Sequence, residues 1–142
     1  MYHSYTYVDD NMDFEKDLDK NYNKFLKYFS NGIIHNLMLW TISKKSIHGY
    51  GLMKSLEEFF NGNCEIKINS SKIYPILKKM EENELIKGEW KVNENNKRVK
   101  YYSISPKGEL LLSYIQNNMN MMLSNPKWLE FIKDSTGMEI KI

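Results

Sequence analysis

The chain has 142 residues, about the length of one domain, so a second independently folding catalytic domain has little room beside the first. Hydrophobic residues make up 42% and charged residues 27%, which is typical of globular proteins and excludes wholesale disorder. Polar and charged residues interrupt every apolar stretch before it reaches the ~20 residues of a membrane span. The start of the chain lacks the basic and apolar regions of a secretory signal, so we expect a soluble, cytoplasmic protein without membrane contact.

The net charge is only +2, but its distribution is uneven. Residues 1–20 contain six acidic side chains and two lysines. Residues 67–80 contain four lysines and no acid, and residues 86–107 contain six basic and two acidic side chains. Two adjacent segments therefore concentrate positive charge, as a phosphate-binding surface requires. On charge alone, two solvated surfaces explain the pattern equally well.

Residues suited to metal or catalytic chemistry are few. Cys64 is the only cysteine, so it has no internal disulfide partner and cannot alone supply a structural zinc site. The histidines, His3, His35 and His48, are far apart and form no His-x-x-x-His pair. No nucleophile motif accompanies His48, which we interpret as a helix N-cap and not as a general base. We therefore predict no metal, no cofactor and no enzymatic activity.

The N-terminal part of the chain predicts a flexible tail and three helices. Residues 1–10 lack periodicity and are expected to form the tail. Apolar residues at helical spacing then predict a helix over about 12–29 that ends at residues 30–32, Ser-Asn-Gly. An almost entirely apolar helix follows over 33–42, which we expect to be central to the core. A third helix begins near Gly49 and ends at an Asn-Gly-Asn stop.

The next segment predicts a basic helix. After a short extended stretch over 65–68, Asn69 is a good N-cap, and the apolar residues from Ile73 to Met80 recur at helical spacing. Pro75 lies past the first turn and removes one helical hydrogen bond, so the opening turn is expected to be irregular or kinked. The opposite face bears Lys72, Lys78 and Lys79.

Two strands and a last helix follow. Alternating and β-branched residues over 86–92 and 99–104, joined by a polar turn, predict a β-hairpin with a charged tip. Ser105 before Pro106 caps the final helix, which is broken at Pro126. The apolar stripe of this helix is Leu111, Tyr114, Ile115, Met119, Met122 and Leu123. Because the stripe is longer than so small a domain can bury, we predict dimerisation through residues 107–124, with help from the first helix.

These elements predict a mainly α protein with a small β-hairpin. Three compact helices, the last of them basic, followed by a hairpin with a cationic tip make a winged helix-turn-helix. We assign this DNA-binding domain to residues 31–105. The predicted flanking parts are a tail over 1–10, an N-terminal helix over 11–30, and a C-terminal dimerisation helix and tail over 106–142.

Four sequence blocks support this fold: residues 47–52, 72–81, 85–86 and 100–108, which read IHGYGL, KIYPILKKME, LI and KYYSISPKG. In this order and spacing they resemble the PadR family of bacterial and archaeal transcriptional regulators, over about residues 33–112. The resemblance implies a winged-helix dimer, usually a repressor that binds a near-palindromic operator and in many members releases it when a small molecule binds. The short C-terminal part resembles the smaller PadR class, in which one long helix makes the dimer.

The candidate DNA-binding residues lie on the basic helix and the wing. They are Asn69, Ser70, Ser71, Lys72, Tyr74, Lys78, Lys97, Arg98 and Lys100. Ser70 and Ser71 have capping as an equal alternative, and Tyr74 has burial in the core as an alternative, although the resemblance places this tyrosine at the DNA backbone. Lys72 departs from the family, which commonly has Ser or Thr there. A lysine at this turn favours the guanine N7 and O6 acceptors or a phosphate.

Other functions compete with this hypothesis. Met119, Met122 and Trp128 are candidates for the pocket of a flat hydrophobic effector, since methionine adapts its shape and tryptophan stacks. Interface core is the simpler interpretation of the same residues. A winged helix used only for protein interaction is the alternative to DNA binding, and it predicts no salt-dependent affinity for DNA. The sequence does not reveal the operator, the regulated gene or the sign of regulation.

Overall fold

Helices make up most of the protein in the computed structural model, which describes residues 12–61 and 66–141. The elements are α1 (Met12–Lys44), β1 (Ile47–His48), α2 (Gly49–Phe59), α3 (Ser70–Glu82), β2 (Ile86–Val92), β3 (Arg98–Ile104), α4 (Pro106–Leu123) and α5 (Pro126–Thr136). The strands form one antiparallel sheet in the order β1-β3-β2. The predicted winged helix-turn-helix, mainly α with a small β-hairpin, is confirmed. The predicted tail over 1–10 lies outside the described residues.

The α1 helix is continuous, so the predicted helix end at residues 30–32 is wrong. Ser30 is buried, and its hydroxyl donates to the Lys27 carbonyl at 3.1 Å, within the helix. Gly32 is helical and costs only about 1 kcal/mol relative to alanine in a helix interior. Burial of the apolar residues that follow outweighs this local preference. The predicted domain boundary between residues 30 and 31 falls inside α1.

The core lies between the C-terminal half of α1, the helices α2 and α3, and the sheet. Its members follow the helical spacing seen in the sequence, which places one face of each helix inward. They are Ile34, Met38, Leu39, Ile42, Leu52, Leu56, Ile73, Leu77, Met80, Ile86, Tyr102 and Leu112. The contribution of α4 is Leu112, which the predicted stripe omits. Much of that stripe stays on the surface of the single chain, as the 64% exposure of Tyr114 shows.

The hairpin has the predicted strands and turn. Its register runs from Ile86 opposite Ile104 to Val92 opposite Arg98, and the side chain of Asn93 accepts hydrogen bonds from two backbone amides of the turn. The two-residue strand β1 pairs with β3 and was not predicted, because two residues are too short to show alternation. The extended stretch predicted over 65–68 forms no strand at residues 66–68, and residue 65 lies outside the described part.

Three predicted N-caps are confirmed. The His48 imidazole Nδ1 accepts a hydrogen bond from the Gly51 amide at 2.8 Å, which starts α2. The Ser105 hydroxyl accepts from the Gly108 amide at 3.0 Å, which starts α4. Asn69 caps α3, whose opening turn has two amides bonded to the Asn69 carbonyl before the helix continues through Pro75. Each cap satisfies an amide that has no partner inside the helix.

The described residues contain neither a membrane-spanning helix nor a cluster of metal ligands. None of their helices is both long and apolar enough to cross a bilayer. Nor do three or more His, Cys, Asp or Glu side chains in residues 12–61 and 66–141 come together in a group that could hold a metal ion.

Candidate nucleic-acid interface

The solvent-facing side of α3 is polar and basic. Ser71, Tyr74, Pro75 and Lys78 are exposed, and at about 100° per residue they share one face of the helix. The opposite face is buried in the core and packs against α2 and β2. The helix therefore presents a hydroxyl, a phenol and an ammonium to solvent along its outer side, which is the arrangement that a major-groove helix needs.

The first turn of α3 is organised by Asn69. The Asn69 side-chain oxygen accepts from the Lys72 amide at 3.0 Å and from the Ser71 hydroxyl at 2.7 Å. The Asn69 side chain is therefore engaged in the helix cap. The hydroxyl proton of Ser71 is donated to that cap, so the Ser71 oxygen can still accept a hydrogen bond. Ser70 is exposed beside them. The predicted residues at this end of α3 are thus brought together, and two of them hold the helix in shape.

Lys72 lies at the edge of the outer face. It is about 100° around the helix from Ser71 and only half-exposed, in the row that continues with Ile76 and Lys79. Ile76 and Lys79 line a cavity of about 190 Å³ that also includes Leu111 and residues of α1. Lys78, by contrast, lies on the outer face itself. The structure places Lys78 more centrally than Lys72 for contact with a groove.

Tyr74 is not buried in the core, which was one of the two alternatives that the sequence left open. Its side chain is 44% exposed, so the phenol reaches the surface. The same ring packs against Gly49 at the start of α2. Tyr74 therefore has an orientation fixed by the neighbouring helix while part of it remains accessible.

The wing tip carries the exposed cations Lys97 and Arg98. Within the described part of the chain, neither is joined to an acidic side chain by an ion pair. The Arg98 guanidinium lies 5.3 Å from the centre of the Trp90 ring, and Trp90 is 55% exposed on the same face of the hairpin. From the sequence, Trp90 is predicted only as part of an alternating strand, whereas the register of β2 and β3 places it beside the basic tip.

Lys100 has a different environment from the tip. Its ammonium donates to the Glu81 carboxylate at 2.8 Å, so this predicted wing contact is directed towards α3. The hydrogen bond to Glu81 raises the pKa of Lys100 above its ordinary value. Burial raises the pKa of the neighbouring Tyr102 phenol, whose ring lies 5.5 Å from the ammonium. Lys100 is therefore the one residue of the predicted wing trio with a charged partner in the described structure.

An aromatic cluster lies at the junction of α2 and the sheet. The His48 and Tyr101 ring centres are 5.3 Å apart, and Tyr50 beside them is well exposed. Because Nδ1 of His48 is occupied by the helix cap, the ring serves structure here. Tyr50 was not among the predicted site residues, and no spacing in the sequence distinguishes it from a core tyrosine.

The predicted effector residues Met119, Met122 and Trp128 have different surroundings in the described part of the chain. Trp128 borders an open depression of about 570 Å³ on α5 and packs edge-on against Phe131. The Met119 sulfur instead lies 3.8 Å from the amide nitrogen of Asn36 in α1. Met122 sits one turn further along α4, where its sulfur accepts from the side chain of Asn118.

Comparison with known proteins places this geometry in a family. Residues 38–113 match the transcriptional regulator PadR-like family. A PadR-like transcriptional regulator from Bacillus cereus has 27% identity and a TM-score of 0.59, over 68% of this chain and 90% of that one. A Streptococcus transcriptional regulator has 28% identity and a TM-score of 0.59, over 74% of this chain and 96% of that one.

A third similar structure contains nucleic acid. It is Bacillus subtilis PadR in complex with operator DNA, with 20% identity and a TM-score of 0.52, over 59% of this chain and 45% of that one. This likeness concerns the fold alone. A search among curated proteins finds no match. The family match covers more than half of the chain and the same winged helix described above, so the protein belongs to the PadR-like family of transcriptional regulators.

Proposed function

We propose that the protein is a sequence-specific DNA-binding repressor that acts in the cytoplasm as a homodimer and is released from its operator by a small hydrophobic effector. The observation that carries this proposal is the pairing of two surfaces on neighbouring elements. One is the outer face of α3, with Ser71, Tyr74 and Lys78. The other is the wing tip, where Lys97 and Arg98 have no acidic partner in the described structure.

Each surface suits a different part of a DNA duplex. A helix fits the major groove, where the Lys78 ammonium and the exposed polar groups of the first turn meet base edges and phosphates. The hairpin tip suits the flanking backbone or minor groove, which attract arginine and lysine through negative potential. In this arrangement α3 supplies sequence preference and the wing supplies affinity that depends on salt.

The homodimer is supported by apolar side chains that one chain leaves exposed. Along α4, Leu110, Tyr114 and Met121 form an exposed row at i, i+4 and i+11. Phe25 and Phe29 of α1 are also more than half exposed. A large exposed apolar surface marks an interaction site, and a second copy of the chain covers it while giving the two-fold symmetry of a palindromic operator.

The proposed effector site comprises Met119, Met122 and Trp128. Met119, Met122 and Trp128 lie towards the end of α4 and on α5, next to the surface that the dimer would bury. We propose that a pocket containing all three is completed by the partner chain. Mass spectrometry of small molecules that copurify with the protein would identify a ligand, and added ligand should then weaken DNA binding.

DNA binding is tested with two duplexes of equal length: the DNA upstream of the protein's own gene, and a scrambled version of it. Fluorescence anisotropy measures the affinity for each duplex at several salt concentrations. We expect the upstream DNA to bind more tightly than the scrambled duplex. Replacing Lys97 and Arg98 with alanine should weaken both complexes alike and reduce the slope of log affinity against log salt by about one unit per lost phosphate contact. The Lys127→Ala variant, which removes an exposed cation from α5, is the matched control. Equal, salt-independent affinities would instead indicate a protein-interaction module.

A further inference from the structure

An ion pair connects the hairpin that forms the wing to α3. The Lys100 ammonium of β3 lies 2.8 Å from Oε1 of Glu81, near the C-terminal end of α3. The two side chains are only 28% and 35% exposed, so solvent screens them less than it screens a pair at the tip of a loop. The Lys100 ammonium also lies over the Tyr102 ring, 5.5 Å from the ring centre. The pair therefore joins two residues that are 19 positions apart in the chain and lie on different elements.

Gly88 of β2 makes room for this pair. A Cβ at residue 88 would overlap the Lys100 side chain and would stand 2.8 Å from Oε2 of Glu81, closer than real Cβ contacts allow. Glycine weakens a strand interior, so its presence there calls for a close approach by another group. Here the approaching group is the ion pair. The glycine and the pair consequently form one structural unit.

The outer half of the hairpin has few other supports. Ile86 and Tyr102 are buried at its base, whereas Trp90 and Val92 are exposed further out. Lys100 is opposite Trp90 in the register, at the point where the hairpin leaves the core. The ion pair is thus located where it can fix the angle between the hairpin and α3.

We propose that Lys100 and Glu81 form a brace that sets the orientation of the wing relative to α3, and that Lys100 is a positioning residue for DNA binding and not a phosphate contact. The inference rests on the proposed DNA-binding function for its consequence, but the brace itself is a property of the free protein. The brace replaces the DNA-contact role that the sequence suggested for Lys100. It also explains the presence of Glu81 near the proposed DNA-binding surface, where an unpaired acid would repel DNA.

The two roles of Lys100 make opposite predictions for Glu81. If Lys100 binds phosphate, Glu81→Gln removes a competing negative charge and should tighten DNA binding, while Lys100→Gln should reduce the salt slope by about one unit. If the pair is a brace, each substitution should weaken DNA binding about three- to tenfold, and neither should reduce the salt slope. The double variant should bind no worse than either single variant, because the second change removes nothing further.

Two further variants separate position from charge. The exchanged pair, Glu81→Lys with Lys100→Glu, should recover much of the affinity, because it restores the contact. Gly88→Ala displaces the ends of the Lys100 and Glu81 side chains and alters no charge, so it should change DNA binding in the same direction as Lys100→Gln. A matched control is Lys127→Gln with Glu130→Gln, which removes an ion pair of 2.7 Å on α5 and should leave DNA binding unchanged. Tighter binding by Glu81→Gln, or a reduced slope for Lys100→Gln, would overturn the brace.

Hydrogen exchange of the free protein tests the brace without DNA. In Glu81→Gln and Lys100→Gln, amides of the outer hairpin, around residues 90–92 and 98–100, should exchange faster, while amides in the buried part of α1 should not. Unchanged exchange in the hairpin would contradict the proposal. If the hairpin amides respond but the wild-type protein shows no DNA affinity, the brace stands and the proposed function fails.

Discussion

The Tyr74 ring lies directly over Gly49, so closely that a Cβ on residue 49 would stand 2.5 Å from the tyrosine hydroxyl oxygen and 2.8 Å from the ring. Gly49 is the first residue of α2 and follows the His48 cap, whereas Tyr74 is on the outer face of α3. The absence of a side chain at residue 49 is therefore what allows the two helices of the helix-turn-helix to approach at this point.

We expect Gly49→Ala to destabilise the protein by about 1 to 3 kcal/mol, because overpacking forces the ring or the helix to move. Urea unfolding followed by circular dichroism measures the change. In a double-mutant cycle with Tyr74→Ala, the loss should be largely removed, since the methyl group then has space. Additive effects of the two substitutions would show that the clash with Tyr74 is not the cause.

The interior of α1 offers the opposite case. Gly32 is helical, and a Cβ built on it has no described atom within 4 Å apart from its chain neighbours and the backbone of its own helix, so Gly32→Ala should stabilise the protein by about 0.5 to 1 kcal/mol. Gly137 is the control, because its φ of 74° at the end of α5 is left-handed, and Gly137→Ala should destabilise by about 1 kcal/mol. Destabilisation by Gly32→Ala in the same unfolding assay would mean that α1 is interrupted near residue 32.

Sequence and structure agree best where the determining interaction is local. The caps by His48, Asn69 and Ser105 each join residues three apart, and the corresponding residue types identify them. The continuity of α1 depends instead on burial of residues beyond Gly32, which local turn preference cannot show. The strand β1 exists through its pairing with β3, and two residues carry no periodic signal of it.

In the candidate site, too, features set by local sequence could be predicted, and contacts between distant residues could not. The exposed face of α3 follows from helical spacing, and the basic wing tip follows from the hairpin pattern. The partner of Lys100 could not be predicted, because Glu81 lies on a different element and other acids, such as Glu89 and Glu94, are nearer to Lys100 in the sequence. The location of Lys72 at the edge of the helix face depends on how α3 is rotated against α1, which the apolar pattern fixes only approximately.

Dimerisation can be tested without disturbing the subunit. Tyr114 and Met121 are each 64% exposed on α4, so Tyr114→Glu with Met121→Glu should give a folded monomer by multi-angle light scattering and circular dichroism. Leu111 and Ile115 are a poorer choice, because both line the small cavity that also includes residues of α1 and α3. A dimer that persists in the Tyr114 and Met121 variant would exclude this face as the interface.

The Lys100–Glu81 hydrogen bond also predicts a dependence on pH. Because it raises the pKa of Lys100, the stabilisation is fully present below the ordinary lysine pKa and is lost as the pH rises through the raised value. The difference in Tm between the wild type and Lys100→Gln should therefore be constant at pH values well below the ordinary lysine pKa of 10.5 and should shrink as the pH rises through the raised pKa of Lys100. Burial raises the pKa of Tyr102, and this tyrosine also titrates at high pH. Because Tyr102 is present in both proteins, the comparison uses the difference between their Tm values and not either Tm alone. A difference in Tm that stays constant after Lys100 has lost its charge would exclude the ion pair as its source.

The last prediction concerns how α3 distinguishes bases. Lys78 is on the exposed face with Ser71 and Tyr74, whereas Lys72 is half-exposed at its edge. A lysine that contacts guanine N7 and O6 discriminates against other bases by about 1 to 3 kcal/mol, whereas a lysine on phosphate contributes equally to all sequences. We expect Lys78→Ala to relax base preference at one symmetric pair of operator positions, and Lys72→Ser to do so only if the Lys72 side chain extends from the edge into the groove.

Binding of operator variants, changed one base pair at a time, to the wild type and both lysine variants separates these outcomes. A uniform loss of affinity on every duplex, with a lower salt slope, would assign the substituted lysine to phosphate. Loss of discrimination at one position, with the salt dependence of the wing intact, would assign it to a base. The flexible ammonium of Lys72 can reach phosphate from the edge of the helix more easily than it can reach base edges, so uniform loss is the expected result for Lys72→Ser.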